Sequence, residues 1–158
     1  MHSLEVTDQE AIIKFSQTVK KVDTLVLNAG IKGYPVPYTQ TPDNTGNEEM
    51  EALAVNTVAL SNIIRAFNKM SLLQADACVV YMGSRAGQTA DNGSGDSHPY
   101  RVSKAAGHAS MWNWSITLMR QWKKSHPDQL HQSPCVFAVC GGWVKTRMGG
   151  ENGRLPPL

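Results

Sequence analysis

Three side chains near the middle of the chain have the chemistry of a proton-transfer site. Ser84 closes the run Val79-Val80-Tyr81-Met82-Gly83-Ser84, and Tyr100 and Lys104 stand four apart in His98-Pro99-Tyr100-Arg101-Val102-Ser103-Lys104-Ala105-Ala106. On a helix, side chains four apart stack on one face. An ammonium beside a phenol favours the phenolate and draws such a group down from its ordinary value of about 10. With a serine hydroxyl at the end of the preceding strand, these groups make a candidate acid–base site. The same Tyr-x-x-x-Lys spacing also suits two solvated helix side chains, so its meaning depends on what surrounds it.

The elements that must position these groups follow from periodicity. Leu4-Glu5-Val6-Thr7 reads as a short extended start, and Thr7 or Asp8 caps a helix over 8–20. Residues 22–27 form a β-rich run closed by Asn28-Ala29-Gly30. Residues 31–47, crowded with Pro, Gly, Thr and Asn, read as a loop. A long helix over 48–70 has Asn56 among its apolar residues. A second strand spans 78–82, a polar loop 84–97, and a helix opening at Pro99 runs on to about Lys124. A third strand at 135–140 runs into Gly141-Gly142-Trp143-Val144-Lys145-Thr146. This alternation predicts an α/β fold with a parallel sheet. The strands are apolar without alternation, which expects cover on both faces. Ligands of such sheets bind beyond the carboxyl ends of the strands, here Asn28-Ala29-Gly30, Gly83-Ser84 and Gly141-Gly142.

Composition narrows the class. With 158 residues, 41% hydrophobic and 18% charged, the chain is read as one globular domain over 1–158 rather than a disordered segment. A net charge of +2 with scattered Lys and Arg argues against nucleic-acid or anionic-membrane partners. Cys78, Cys135 and Cys140 lack Cys-x-x-Cys spacing, so buried reduced thiols are expected and no metal site. Trp112, Trp114 and Trp122 read as packing and interface anchors. The first residues lack the basic-then-apolar pattern of a signal peptide and no run has membrane-spanning length, so a cytoplasmic protein is expected.

With these positions placed, residues 4–150 resemble the short-chain dehydrogenase/reductases, near the small single-domain ketoreductases. Asn28-Ala29-Gly30 is similar to the family's Asn-Asn-Ala-Gly turn, with Leu27 for the first Asn. Asn56 matches the helix asparagine of the catalytic tetrad, Ser84 its serine, and Tyr100 and Lys104 its Tyr-x-x-x-Lys pair. Gly142-Trp143-Val144-Lys145-Thr146 resembles the Pro-Gly-x-Val-x-Thr segment over the nicotinamide, with Gly141 for proline. Leu4-Glu5-Val6-Thr7 resembles the end of the third strand, with Glu5 for the Asp near the adenine.

The resemblance implies that Tyr100 is the general acid or base, that Lys104 tunes it and bonds the nicotinamide ribose, that Ser84 holds the carbonyl oxygen, and that Asn56 anchors a water for proton resupply. Read without the resemblance, Ser84 also suits a turn hydroxyl, Asn56 a packing amide and Lys104 a solvated charge. The resemblance further implies cofactor contacts at Glu5, Asn28, Ala29, Gly30, Tyr100, Lys104, Val144 and Thr146. The cofactor is NADP or NAD, with NADP slightly favoured, and the substrate a small carbonyl or alcohol.

The resemblance starts at the third strand. No Thr-Gly-x-x-x-Gly-x-Gly turn, the family's pyrophosphate cradle, precedes Leu4. The expected fold is therefore an incomplete Rossmann-like sheet, truncated at both ends, lacking the first two strands and the last. Right-handed crossovers would put the remaining helices on one face, exposing an apolar sheet face and an unpaired edge at 22–27. Two functions follow. One is an NAD(P)-dependent oxidoreductase; the other is a truncated, cofactor-binding-deficient homologue serving as a binding or dimerisation module or as an inactive fragment. A homo-oligomer is expected, with Ala105, Ala106, Gly107 and Ala109 offering a small-residue surface to a partner helix or, equally, to the sheet.

Overall fold

In a computed structural model, residues 3–33, 46–129 and 132–142 are described. Asp8 settles the first helix: its carboxylate accepts from the N–H groups of Glu10 and Ala11, starting α1 at Gln9–Thr18, as an N-cap should. Strand β1 follows at Val22–Leu27. Helix α2 (Asn47–Leu53) passes without a break into a π-helical segment, Ala54–Ala59, and then into α3, Leu60–Lys69. Strand β2 is Leu73–Met82, two 3₁₀ turns cover Arg85–Gly87 and Thr89–Asp91, and α4 runs from His98 to Ser125 with Pro99 in its first turn. Strand β3 is Cys135–Val139.

The expected alternation is present, with two differences. Strand β2 begins at Leu73 rather than Cys78, because Val22 pairs with Leu73 and Thr24 with Cys78 across an irregularity in the register. Leu4-Glu5-Val6-Thr7 is not a strand. The Glu5 carboxylate accepts from both the N–H (3.0 Å) and the hydroxyl (2.7 Å) of Thr7 and bends the chain into a turn. An extended segment is held by a strand beside it, and β1 pairs only with β2 among the described residues.

The sheet is parallel in the order β1-β2-β3, and its register separates two faces. Leu25, Val79 and Val136 form one row and Leu27, Tyr81 and Ala138 the next. Val79 and Tyr81 are fully buried there against Ile12 of α1, Leu60 and Ile64 of α3, and Met111 and Leu118 of α4. The opposite face presents Thr24, Cys78 and Cys135, then Val26, Val80 and Phe137, then Met82 and Val139. Val26 is 55% and Phe137 52% exposed. Right-handed connections between parallel strands account for the one-sided cover. Among the described residues, the expectation of an incomplete sheet with one open apolar face is met. An apolar groove of about 210 Å³, lined by Leu4, Val6, Phe15 and Leu25 among others, runs beside β1.

The thiols depart from expectation. Cys78 and Cys135 are free but only half-buried, because they point to the open side of the sheet, and Cys140, just past the end of β3, is exposed. Of the tryptophans, Trp114 packs against the core and donates to the Ser61 hydroxyl at 3.2 Å, and Trp122 stacks on His126. Trp112 is 70% exposed. Among the described residues, no helix is long and apolar enough to cross a membrane.

Gly107 decides how closely α4 approaches β2. A Cβ there would fall on the Tyr81 hydroxyl and ring, so this small residue faces the sheet. Gly107→Ala is expected to lower unfolding stability in urea by about 1–3 kcal/mol, the usual cost of overpacking; an unchanged midpoint would refute the close contact. Replacing Val26 and Phe137 on the open face by Thr and Lys should sharply reduce binding of a hydrophobic dye by the 158-residue chain while circular dichroism stays constant. Undiminished dye binding would place the exposed apolar surface elsewhere.

Candidate active site

The carboxyl ends of β1 and β2 and the first turns of α4 meet around one buried charge. The Lys104 side chain reaches from α4 to the end of β2, where its Nζ donates to the Met82 carbonyl at 2.7 Å. Lys104 is only 4% exposed, and its ammonium lies 5.1 Å from the Tyr81 ring centroid and 5.6 Å from that of Tyr100. Burial pushes the Lys104 ammonium below its ordinary range, since low-dielectric surroundings disfavour the charged form. The unfolded chain therefore binds this proton more tightly, and stability rises with pH through the window just below the ordinary Lys value. An ammonium has three N–H donors. Among the described residues Lys104 Nζ has one hydrogen-bond acceptor, Met82 O, and lies beside the Tyr81 and Tyr100 rings, with Cys140 and His108 also within electrostatic reach. The solvated-surface alternative for Tyr-x-x-x-Lys is set aside by that burial.

Asn56 is wholly buried in the π-helical segment. Its Oδ1 accepts from the Ile31 N–H at 2.8 Å, while its Nδ2 donates to the Ile31 carbonyl at 2.8 Å and to the Ser103 hydroxyl at 2.9 Å. The amide thus clamps the backbone just past β1 as a neighbouring strand would. The Ser103 hydroxyl in turn donates to the Tyr100 carbonyl at 2.9 Å, and Thr57 donates to the Ser103 carbonyl at 2.8 Å. A π-turn inserts an extra residue into a helix and re-aims side chains locally, here joining Asn56 and Thr57 to the turn of α4 between Tyr100 and Lys104. Farther along, Ser61 meets Ser110 at 2.6 Å and Asn68 donates to Gln121 at 2.8 Å, so the two helices run side by side in the same direction.

Ser84 follows β2. Its hydroxyl accepts from the Ala86 N–H at 3.2 Å, capping the first 3₁₀ turn, which suits the turn-hydroxyl alternative as well as a catalytic one. Gly30 completes the cluster: a Cβ there would lie 3.2 Å from Asn56 Oδ1 and 3.6 Å from Lys104 Nζ. The structure therefore gathers Gly30, Asn56, Tyr100 and Lys104, with Ser84 two residues beyond the Met82 carbonyl that Lys104 binds. Asn28 and Ala29 line the apolar groove with Leu4 and Val6. Glu5 is apart from the cluster, in the exposed turn before α1, where the Thr7 hydroxyl and N–H hold its carboxylate below the ordinary range. Val144 and Thr146 lie outside the described residues.

Two contributors escaped the sequence reading. Tyr81 is fully buried beneath Lys104, and its hydroxyl reaches the Asn56 carbonyl at 3.5 Å; burial pushes its phenol upward, keeping it neutral. His108 lies one turn beyond Lys104 and touches the Ser84 segment. A buried tyrosine in a strand reads as ordinary core, and the spacing of four from Lys104 was the sole signal for His108. The arrangement offers a phenol, a desolvated cation and a hydroxyl at the strand ends, suited to moving a proton to or from a small oxygen-bearing ligand.

Asn56→Ala should cost about 1–3 kcal/mol in urea unfolding, because it strands the part-buried Ile31 amide and carbonyl and breaks the buried bond to Ser103. Asn56→Asp should not restore it, since a carboxylate cannot donate to the Ile31 carbonyl. A loss within error of zero would show that the clamp contributes nothing.

The family model of the short chain dehydrogenases matches residues 1–154. Solved structures agree. A short-chain dehydrogenase/reductase of Burkholderia multivorans with bound NADP is 24% identical, with a TM-score of 0.78 over 98% of this chain and 62% of that one. The carbonyl reductase Sniffer of D. melanogaster is 25% identical, with a TM-score of 0.76 over 94% of this chain and 61% of that one. The Bacillus cereus enoyl-acyl carrier protein reductase, solved with NADP+ and indole naphthyridinone, is 14% identical, with a TM-score of 0.73 over 94% and 54%. No curated protein matches the chain. The chain spans about six tenths of the length of the first two structures. With a family model covering nearly its whole length and a parallel sheet superposing on these structures, the chain belongs to the short-chain dehydrogenase/reductase family.

Proposed function

We propose that the chain serves an NAD(P)-dependent oxidoreductase acting on a small carbonyl or alcohol, with Tyr100 as the general acid and base. One observation supports this above the others. A buried ammonium, with one hydrogen-bond acceptor among the described residues, sits beside a phenol at the carboxyl ends of parallel strands. The N–H donors of Lys104 that no described residue accepts suit the hydroxyls of a nicotinamide ribose, so the residues present fit that half of the cofactor. NADP or NAD, when bound, supplies or receives the hydride. The NADP seen in the Burkholderia relative favours NADP slightly.

In carbonyl reduction, Tyr100 gives its hydroxyl proton to the substrate oxygen, and Lys104 stabilises the negative charge left behind. The Ser84 hydroxyl donates to the same oxygen and holds it in place. Asn56 fixes the backbone after β1 against the turn holding Tyr100 and Lys104, and in the family's pattern it anchors the water that resupplies the proton. Asn28, Ala29, Gly30, Val144 and Thr146, with Glu5 toward the adenine, make up the remaining cofactor contacts in this reading. Exposed Met50, Val58 and Trp112 on the helices suit assembly with a second copy, and the cytoplasm is the matching compartment.

The second reading is a non-catalytic binding or dimerisation module. The exposed row at Val26 and Phe137 and the edge of β1, unpaired among the described residues, favour it, as does the length relative to the solved structures.

Fluorescence titration of NADPH against the chain, followed by turnover of small ketones, separates the two. Saturable binding is expected, with Tyr100→Phe lowering turnover by about 10²-fold or more while cofactor affinity holds. An absence of binding at millimolar NADPH would leave the module reading.

A further inference from the structure

We propose that His108 is a positioning residue for Ser84: the segment Gly83–Gly87 wraps its imidazole, whose Nε2 accepts the Ser84 main-chain N–H. This rests on the reading of Ser84 as the group that holds the substrate oxygen.

His108 stands on α4 one turn after Lys104 and turns back toward the end of β2. Ser84 N lies 3.3 Å from His108 Nε2. The glycines on either side leave room for the ring. A Cβ at Gly83 would come within 2.6 Å of Nε2, and one at Gly87 within 2.9 Å of the ring's Cε1 and 2.7 Å of the Lys104 carbonyl carbon. No side chain fits at either position without moving the imidazole or the helix. The Tyr81 ring meets the imidazole edge-on, with centroids 5.9 Å apart and planes at 81°. The segment is closed on itself by Gly83 N to Tyr81 O at 2.9 Å and Gly87 N to Ser84 O at 3.0 Å. Arg101 Nη1 draws its Ala86 carbonyl toward α4 at 3.4 Å. The bond to His108 is thus the polar link between the Ser84 backbone itself and the helix that bears Tyr100 and Lys104.

An imidazole accepts through Nε2 only when that nitrogen has no proton, which assigns the neutral Nδ1–H tautomer. The surroundings favour that form. Burial, and then the Lys104 ammonium, push His108 below its ordinary value. The Tyr81 phenol beside it is neutral, Arg101 on its own helix is a further cation, and Arg85 within the wrapped segment is tied to Asp91 at 2.6 Å. Since the folded chain binds this proton less tightly than the unfolded one, the link is complete above the ordinary His value. It is lost as pH falls through the lowered folded value. Protonation would set an Nε2–H against the Ser84 N–H and release the segment.

Nuclear magnetic resonance of the 158-residue chain reads this directly. The His108 ring nitrogens should report the Nδ1–H tautomer at neutral pH, and the Ser84 amide should shift with the same midpoint as the His108 ring on acidification. His108→Leu, which removes the acceptor, should speed Ser84 amide exchange about tenfold or more. His108→Gln keeps an acceptor that cannot titrate, and should retain Ser84 protection while abolishing the pH dependence. In turnover, His108→Leu should lower kcat about tenfold with KM for NADPH little changed. His108→Gln should restore most of kcat and lose the acid limb. A Ser84 amide indifferent to His108 protonation, or unchanged in both variants, overturns the proposal. If the parent chain shows no turnover, the oxidoreductase reading fails, and the resonance measurements still decide the link.

Discussion

The cluster depends on keeping one ammonium out of water. Moving a charge into a protein interior costs several kcal/mol unless other groups replace its hydration. Lys104 has the Met82 carbonyl and the faces of Tyr81 and Tyr100 for this purpose. Each holds part of the architecture in place. The carbonyl ties α4 to the end of β2, Tyr81 lies beneath the helix because residue 107 has no side chain, and Tyr100 is held one turn back on the same face. Among the described residues these groups leave part of the ammonium's hydrogen-bonding capacity unused, at the end of the strands.

The second constraint is the polar seam between the two helices on the covered face. Helix pairs in a core are ordinarily joined by apolar ridges. Here the contacts at the strand-end side are Asn56 and Thr57 to Ser103, followed by Ser61 to Ser110. Buried amides and hydroxyls must be paired, and their directionality fixes register more tightly than apolar packing does. The π-helical segment makes this pairing feasible by turning Asn56 inward toward Ile31 and Ser103. The backbone after β1, the Asn56 amide and the Tyr100 turn are consequently one hydrogen-bonded unit.

The sheet shows the opposite condition. One side is closed by three helices around Val79 and Tyr81; the other presents Val26, Phe137 and Val139 to solvent. Parallel strands with apolar residues on both sides belong in a three-layer arrangement, and the described residues supply two layers. The candidate site lies where the strands end, among residues of the covered side.

Much of this was legible in the residues alone. Continuous apolar runs at 24–27, 78–82 and 136–139 specified strands, the spacing of Tyr100 and Lys104 put them on one helix face, and Pro99 fixed where that helix opens. The uncovered face followed from crossover handedness applied to the helices present. These are local or topological facts, set by period, turn chemistry and chain direction. Four others depended on tertiary structure. Leu4-Glu5-Val6-Thr7 has a strand-like pattern, but a strand needs a neighbour, and without one Glu5 bonds Thr7 and bends the chain. Cys78 and Cys135 sit in apolar runs, yet their exposure depends on which face the register turned outward. The burial of Lys104 over Tyr81 and beside Tyr100 depends on helix–sheet separation, set by Gly107, a residue outside the Tyr-x-x-x-Lys motif. His108 acquires its contact with Ser84 because the chain folds Gly83 and Gly87 around it. Sequence patterns record which residues share an element, whereas burial and contact between elements arise only when those elements pack.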